Sequence, residues 1–254
     1  MYTVKVEFKI AIGSEEEQLD LINLLLGSWR MNGQVLGREF PIAQTKGAYT
    51  AFVQTPDKDS LGSQFNNKYV RKNLHRLDEK FTAPQVSLLG KDPNSSSLCE
   101  CISPSSYILY TTYLSTESPL KCGDCFSEIP LSKIPKTFDD EYYNILHWVS
   151  DFQNCDHLQM NCTVGERFAL NQLSNLSSPL TKEGLSVRDS IQDVTGKKTF
   201  YYLYKGSGRN HESEIARKCP SCGGEWFLEE RFHGIFDFVC KGCALLSNIA
   251  WNCR

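Results

Sequence analysis

Cys219-Pro-Ser-Cys222-Gly-Gly and Cys240-Lys-Gly-Cys243 set two close pairs of thiols on either side of residues 223–239. Zinc takes four soft ligands at tetrahedral corners, and a Cys-x-x-Cys turn presents two sulfurs from one tight knuckle. Glycines after the knuckle let the backbone fold around the sulfurs. The intervening segment suits a hairpin, with Trp226, Phe227 and Leu228 on one arm, a turn at His233-Gly234, and Ile235, Phe236 and Phe238 on the other. Residues 245–251 can add a third strand. This pattern describes a zinc ribbon. Unmetallated thiols or a redox dithiol are the competing readings, but a thioredoxin-like Cys-x-x-Cys occurs singly beside a β-α-β unit.

A second set comprises Cys99-Glu-Cys101 and Cys122-Gly-Asp-Cys125. Two close pairs can again close a tetrahedral site, if an expected strand over 107–114 brings them together. Thiols without metal are the alternative. Cys155 and Cys162 flank Asp156, His157 and Met160, with His147 nearby. A third metal site or a catalytic thiol is conceivable there, but cysteine is among the most buried residue types and the core reading is stronger. Cys253 reads as a free thiol.

No catalytic constellation is recognisable. Gly-x-Ser-x-Gly, the phosphate-binding Gly-x-x-x-x-Gly-Lys loop and His-Glu-x-x-His are all missing. The zinc-deaminase signature fails at His211-Glu-Ser213 before Cys219-Pro-Ser-Cys222. Four thiolates also close the coordination position that a catalytic zinc keeps open. Asp139-Asp-Glu141 can bind a metal or act as a base, but capping the following helix is the stronger expectation. The expected protein is non-enzymatic.

The 254 residues, 41% hydrophobic and 22% charged, suit an ordinary globular protein with a net charge of −3. That charge argues against a chain devoted to wrapping nucleic acid. No secretory leader or membrane span is expected. Eleven cysteines without a leader point to a reducing compartment, hence to the cytoplasm and to metal rather than disulfides.

The elements that must position these groups follow from periodicity. Val4, Val6, Phe8 and Ile10 alternate with charged residues as a half-buried strand. Ser14 offers an N-cap to a helix running to about Met31. Two strands over 34–42 and 48–54, a helix over 63–80 and a strand over 84–89 complete a β-α-β-β-α-β order, the ferredoxin-like arrangement. The fold class is therefore α+β, with a ferredoxin-like domain over 1–91, a Cys-rich, mostly helical central region over 92–208 and a C-terminal zinc ribbon over 209–254. In the central region, helices are expected from Asp139 or Asp140, over 158–176 and over 181–194, with an aromatic strand over 199–204.

Lys68, Lys72, Arg76 and Lys80 recur every four residues on the second expected helix, beside Arg71. That spacing puts them on one face, which can track phosphates or simply be solvated, with Asp78 and Glu79 diluting the charge. The ribbon adds Arg217, Lys218, Arg231, Lys241 and Arg254, with Trp226, Phe227 and Trp251 for base stacking or, more simply, for a small core.

Several segments have a family character: Asn32-Gly-Gln-Val-Leu-Gly-Arg-Glu39, Leu109-Tyr-Thr-Thr-Tyr-Leu114, Ser118-Pro-Leu-Lys-Cys-Gly-Asp-Cys-Phe126, Phe138-Asp-Asp-Glu-Tyr-Tyr143, Leu158-Gln-Met-Asn-Cys162 with Gly165-Glu-Arg-Phe168, and Cys219-Pro-Ser-Cys-Gly-Gly-Glu-Trp226 with Leu246-Ser-Asn-Ile-Ala-Trp251. Through them nearly the whole chain resembles a bacterial family of unknown function, described as zinc-ribbon-containing and inferred to bind nucleic acid. The resemblance implies zinc and a nucleic-acid or nucleoprotein partner, and supplies no reaction. A protein–protein adaptor docking through the ribbon is the alternative, and an enzyme centred on Cys155, Cys162, His147 and His157 is a third reading.

Overall fold

The computed structural model describes residues 1–9, 14–78 and 80–254. Ile10, expected in the first strand, and Glu79, expected to dilute the basic helix face, lie outside the described residues. The chain divides into two units. The first comprises Met1–Leu98, Thr116–Ser118 and Pro130–Tyr143, and the second the remainder.

In the first unit, the apolar side of β1 (Tyr2–Lys9) is buried at Val4, Val6 and Phe8. Helix α1 (Glu15–Met31) starts where the Ser14 hydroxyl accepts the Glu17 N–H, and it buries Ile22, Leu25, Leu26 and Trp29. Three acidic residues in its first turn complement the helix dipole. Then come β2 (Ile42–Thr45), β3 (Ala48–Thr55), α2 (Lys68–Asp78) and β4 (Gln85–Lys91). The strands form an antiparallel sheet in the order β2-β3-β1-β4. With two interspersed helices, that is the ferredoxin-like topology.

Two expected elements are shorter than their patterns. The strand over 34–42 reduces to one bridge between Leu36 and Gln54 before β2 begins at Ile42. Gln34 is instead fully buried, its amide donating to Ser60 O and Asn66 Oδ1. The helix over 63–80 begins only at Lys68, after a 3-10 turn over Ser63–Phe65. Asn66 is extended there, and the Asn67 side chain accepts the Val70 N–H as a cap.

The acidic pair Asp139-Asp140 does cap a helix, but not the one that follows it. Asp140 accepts the main-chain N–H of Lys68 at 3.1 Å, at the start of α2, and its carbonyl accepts from Asn67. Asp139 pairs with Lys68 at 2.6 Å and accepts the Tyr69 hydroxyl. Both aspartates adopt left-handed backbone, which this residue type tolerates better than most.

The second unit is built on a six-stranded mixed sheet. Its strands are β5 (Ser106–Leu109), β6 (Leu120–Cys122), β7 (Lys198–Leu203), β8 (Phe227–Phe232), β9 (Phe236–Cys240) and β10 (Leu245–Ser247), in the order β6-β5-β7-β10-β9-β8. Strand β7 lies parallel to both β5 and β10, so it joins the central region to the C-terminal segment. The expected strand over 107–114 stops at Leu109 because Gln153 then takes the chain: its amide donates to Thr111 Oγ1, Thr112 O and Ser115 O.

Three helices connect β6 to β7: α3 (Tyr143–Asn161), α4 (Glu166–Ser174) and α5 (Pro179–Thr195). The helix expected over 158–176 is therefore two elements. Residues 158–161 finish α3, and left-handed Cys162 and Gly165 break the rod before α4. A short helix, α6 (His211–Ile215), precedes the C-terminal cysteines. Trp148, Tyr201, Phe236 and Phe238 are fully buried in this unit. No helix among the described residues is long and apolar enough to cross a membrane.

Candidate metal centres

Cysteine sulfurs gather at two places in the second unit. Cys99, Cys101, Cys122 and Cys125 form one set; Cys219, Cys222, Cys240 and Cys243 form the other. Within each set, all four sulfurs lie within 4.8 Å of one another. Sulfurs held about 2.3 Å from a central ion at tetrahedral corners would sit about 3.8 Å apart. Cys99 and Cys125 are 3.7 Å apart, Cys101 and Cys122 4.0 Å, and Cys222 and Cys240 3.7 Å. These separations fit a four-thiolate metal site and far exceed the ~2.05 Å of a disulfide.

The first set is assembled by β6 and the turn after it. Cys122 ends β6, and its sulfur accepts the Asp124 N–H at 3.4 Å. Glu128 O accepts the Cys99 N–H at 2.9 Å, which brings the Cys-x-Cys segment beside the knuckle. Gly123 donates to Ser106 O at 2.8 Å, and a β-carbon there would crowd that carbonyl at 2.9 Å and collide with the Ser106 hydroxyl. Asp124 fixes the outer side of the turn by accepting the Ser105 N–H at 2.8 Å.

The second set is assembled at the ends of β9 and of the loop before β8. Cys219 O accepts the Gly223 N–H, Gly224 O accepts the Cys219 N–H, and Gly223 takes a left-handed conformation at φ 71°. The Cys240 sulfur accepts the Cys243 N–H at 3.4 Å. Trp226, 2% exposed, packs on Phe238 and donates its indole N–H to Arg217 O, so it serves the core rather than a stacking surface.

The thiols are unequal in the absence of a cation. Burial pushes Cys99 up to about 12 and Cys240 up to about 12. Hydrogen bonding from the Gly224 backbone, aided by the neighbouring thiols, brings Cys222 down to about 7. Cys125 is also at about 7: burial opposes its ionisation, but Ser127 and the adjacent thiols outweigh that. Four thiolates cannot crowd together uncompensated, and a bound divalent cation supplies the compensation by deprotonating its ligands.

Other residues singled out by sequence behave differently. Among the described residues, Cys155, Cys162, His147 and His157 belong to no group of metal ligands. Burial raises the Cys155 pKa, the reverse of an activated nucleophile. Cys162 donates to Gln159 O at 3.1 Å, and His157 stacks on Tyr113 with ring centroids 5.7 Å apart. On α2, Arg71, Lys72 and Arg76 are exposed and Lys68 pairs with Asp139, whereas Lys80 lies beyond the helix end at Asp78 and pairs with Glu17 at 3.3 Å. Lys218 pairs with Glu225, and Lys241 is exposed. Arg217 stacks over Phe238 and donates to Asn248 O.

Sequence spacing gave no sign of Asp237. It is nearly fully buried and takes both Arg231, at 2.8 Å, and Arg254, at 3.2 Å. Nor did it reveal that the His233 ring nitrogen meets Gly123 O at the first knuckle, since nothing local marks a partner that distant.

Relatives match this chain in sequence. A protein of Haemophilus influenzae described as uncharacterised is 37% identical over 99% of this chain and 99% of its own length. The chain belongs to the family of that protein. A second uncharacterised Haemophilus influenzae protein is 41% identical over 65% of this chain and 81% of its own length. Three domains of unknown function match in turn: DUF8589 over residues 1–90, DUF2310 over 101–204 and DUF8594 over 208–253.

Solved structures resemble about a third of the chain. An antibiotic biosynthesis monooxygenase matches with 14% identity and a TM-score of 0.30, covering 37% of this chain and 100% of that one. SnoaB, a cofactor-independent oxygenase from Streptomyces nogalater, matches with 12% identity and a TM-score of 0.30, covering 37% and 93%.

Proposed function

We propose that the protein is a non-enzymatic, cytoplasmic zinc protein that contacts nucleic acid or a nucleoprotein assembly, with one structural zinc in each cysteine set. The observation that carries the metal reading is the gathering of eight sulfurs into two groups of four, each within 4.8 Å. Four thiolates and no open position suit structural zinc, and the β8–β9 hairpin between its two knuckles suits a zinc ribbon.

The nucleic-acid reading rests on a narrower footing than the basic periodicity of α2 suggests. Lys68 and Lys80 are engaged in ion pairs, which leaves Arg71, Lys72 and Arg76 as the exposed α2 cations outside those pairs. In the second unit, Lys241 is a separate exposed cation by the second cysteine set. Groups of cations this small support few phosphate contacts, so weak, salt-sensitive binding is expected.

Metal content of the pure protein, paired with fluorescence anisotropy on DNA and RNA at two salt concentrations, tests both parts. Two zincs per chain and binding that weakens with salt and with joint replacement of Arg71, Lys72 and Arg76 support the proposal. Two zincs with no binding leave a structural zinc protein and favour a protein partner.

A further inference from the structure

The second unit holds a cavity of about 310 Å³ that neither cysteine set uses. It is walled by six aromatic side chains: Tyr110, Tyr113, Phe152, Tyr202, Tyr204 and Trp251. The rings are tilted against one another and form a concave wall rather than a flat stack. Tyr110 and Tyr202 lie 5.3 Å apart at 52°, and Tyr202 and Tyr204 6.4 Å apart at 71°. Two of the hydroxyls are anchored, Tyr202 on Asn248 Oδ1 at 2.9 Å and Tyr204 on Gln159 Oε1 at 3.3 Å. The rings are therefore held in place. Trp251 and Met160, 63% and 49% exposed, mark the opening.

One carboxylate faces this wall. Asp156 is 8% exposed and lines the cavity. Its oxygens accept from the Tyr113 N–H at 2.8 Å and the Gln159 amide at 2.9 Å, both neutral donors. No cation pairs with it among the described residues. Arg254, the guanidinium that also lines the cavity, is committed to Asp237 and lies over the Trp251 ring at 4.8 Å. A buried carboxylate without a counter-charge is costly. Aromatic ring faces are themselves negative and attract cations.

We propose that this pocket binds a compact organic cation, a quaternary or alkylated ammonium group, with the aromatic faces around it and Asp156 as its counter-charge. The volume lies at the small end of the range for ligand pockets, roughly 300 Å³ upward, which suits a headgroup rather than a large molecule. A nucleobase would also stack on the rings. It would leave the Asp156 charge uncompensated, however, and its phosphates would approach the same carboxylate. This inference is independent of the zinc and nucleic-acid readings.

Choline is the probe, and its uncharged carbon analogue 3,3-dimethylbutan-1-ol the control of equal shape. Binding is followed by calorimetry and by Trp fluorescence on the full chain as purified. Saturable choline binding is expected, with the neutral analogue weaker by about tenfold or more, the size of one strong cation–π or ionic contact. Asp156→Asn removes the charge and keeps one of the two acceptor positions, so it should reduce choline binding by a similar factor, with a modest loss of melting temperature for the contact from Tyr113 N–H or the Gln159 amide that its NH2 cannot accept. Trp251→Ala, at an exposed position, should weaken binding without unfolding the chain. Absence of choline binding, equal binding of the neutral analogue, undiminished binding by folded Asp156→Asn, or preferential binding of adenosine would each overturn the proposal.

Discussion

The imidazole Nε2 of His233 lies 2.9 Å from the carbonyl oxygen of Gly123, joining the tip of the β8–β9 hairpin to the knuckle of the first cysteine set. The same ring stacks on Phe126, centroids 5.2 Å apart. The hairpin tip, remote in sequence from the first knuckle, is thus braced against it through one side chain. His233→Ala removes a hydrogen bond and a ring contact, and should cost about 1 kcal/mol. A thermal melt would register this as a drop of a few degrees. An unchanged melt would mean that the brace contributes nothing.

Each set should behave as a separate metal site. Cys122→Ser and Cys240→Ser are each expected to lower zinc from two per chain to one, read by elemental mass spectrometry. Gly123→Ala should do the same for the first set alone, because the added carbon meets Ser106 and displaces the knuckle. Full zinc retention in Gly123→Ala would show that this turn is not what presents Cys122 and Cys125.

Zinc affinity should fall as pH falls, because protons compete for thiolates. Below about 12, binding must expel protons from Cys99 and Cys240. Below about 7, Cys125 and Cys222 carry protons as well, so the loss steepens there. A competition titration against a chromophoric chelator across this window would measure the slope. A flat profile would exclude thiolate ligation.

Lys136 gives a pH signature of the same sense in a more alkaline window. Burial depresses it from 10.5 to about 8, though Asp140 and Glu141 act against this. Its ammonium donates to Asn32 O at 3.2 Å and to Asn32 Oδ1, and lies 4.1 Å from the Tyr142 ring centroid. Between about 8 and 10.5 the unfolded chain binds the extra proton, so stability rises with pH across that window. The gain is bounded at about 3 kcal/mol. Urea titrations at the two ends of the window, with Lys136→Met as reference, would isolate it. The same slope in wild type and variant would remove Lys136 as the cause.

Removing the cap on α2 should be felt locally. Asp140→Ala leaves the Lys68 N–H without its acceptor and is expected to cost about 1 kcal/mol, as other N-cap losses do. Hydrogen exchange at the first turn of α2 is the sensitive readout.

What spacing revealed and what it hid follows a simple division. The β-α-β-β-α-β order was legible because alternation and helical periodicity are local, and the cysteine pairs were legible because a knuckle is local. Gln34 looked like a strand residue because its real partners, Ser60 and Asn66, are not sequence neighbours. Asp139 and Asp140 point by sequence to the helix that follows them for the same reason: their capping chemistry is local, but its recipient, Lys68, lies 72 positions upstream of Asp140. The basic stripe on α2 was real as a pattern and lost two members to carboxylates that periodicity does not see.

The late arrival of Pro130–Tyr143 in the first unit has a consequence for synthesis. Strands β1 to β4 leave the ribosome well before the residues that cap α2 and that cover Asn32. During that interval the N-terminal sheet exists without Asp140 or Lys136. At roughly 5–20 residues per second, the gap from β4 to Tyr143 lasts on the order of seconds. A nascent chain stalled before residue 130 should therefore present α2 frayed at its first turn, and release past 143 should lock it.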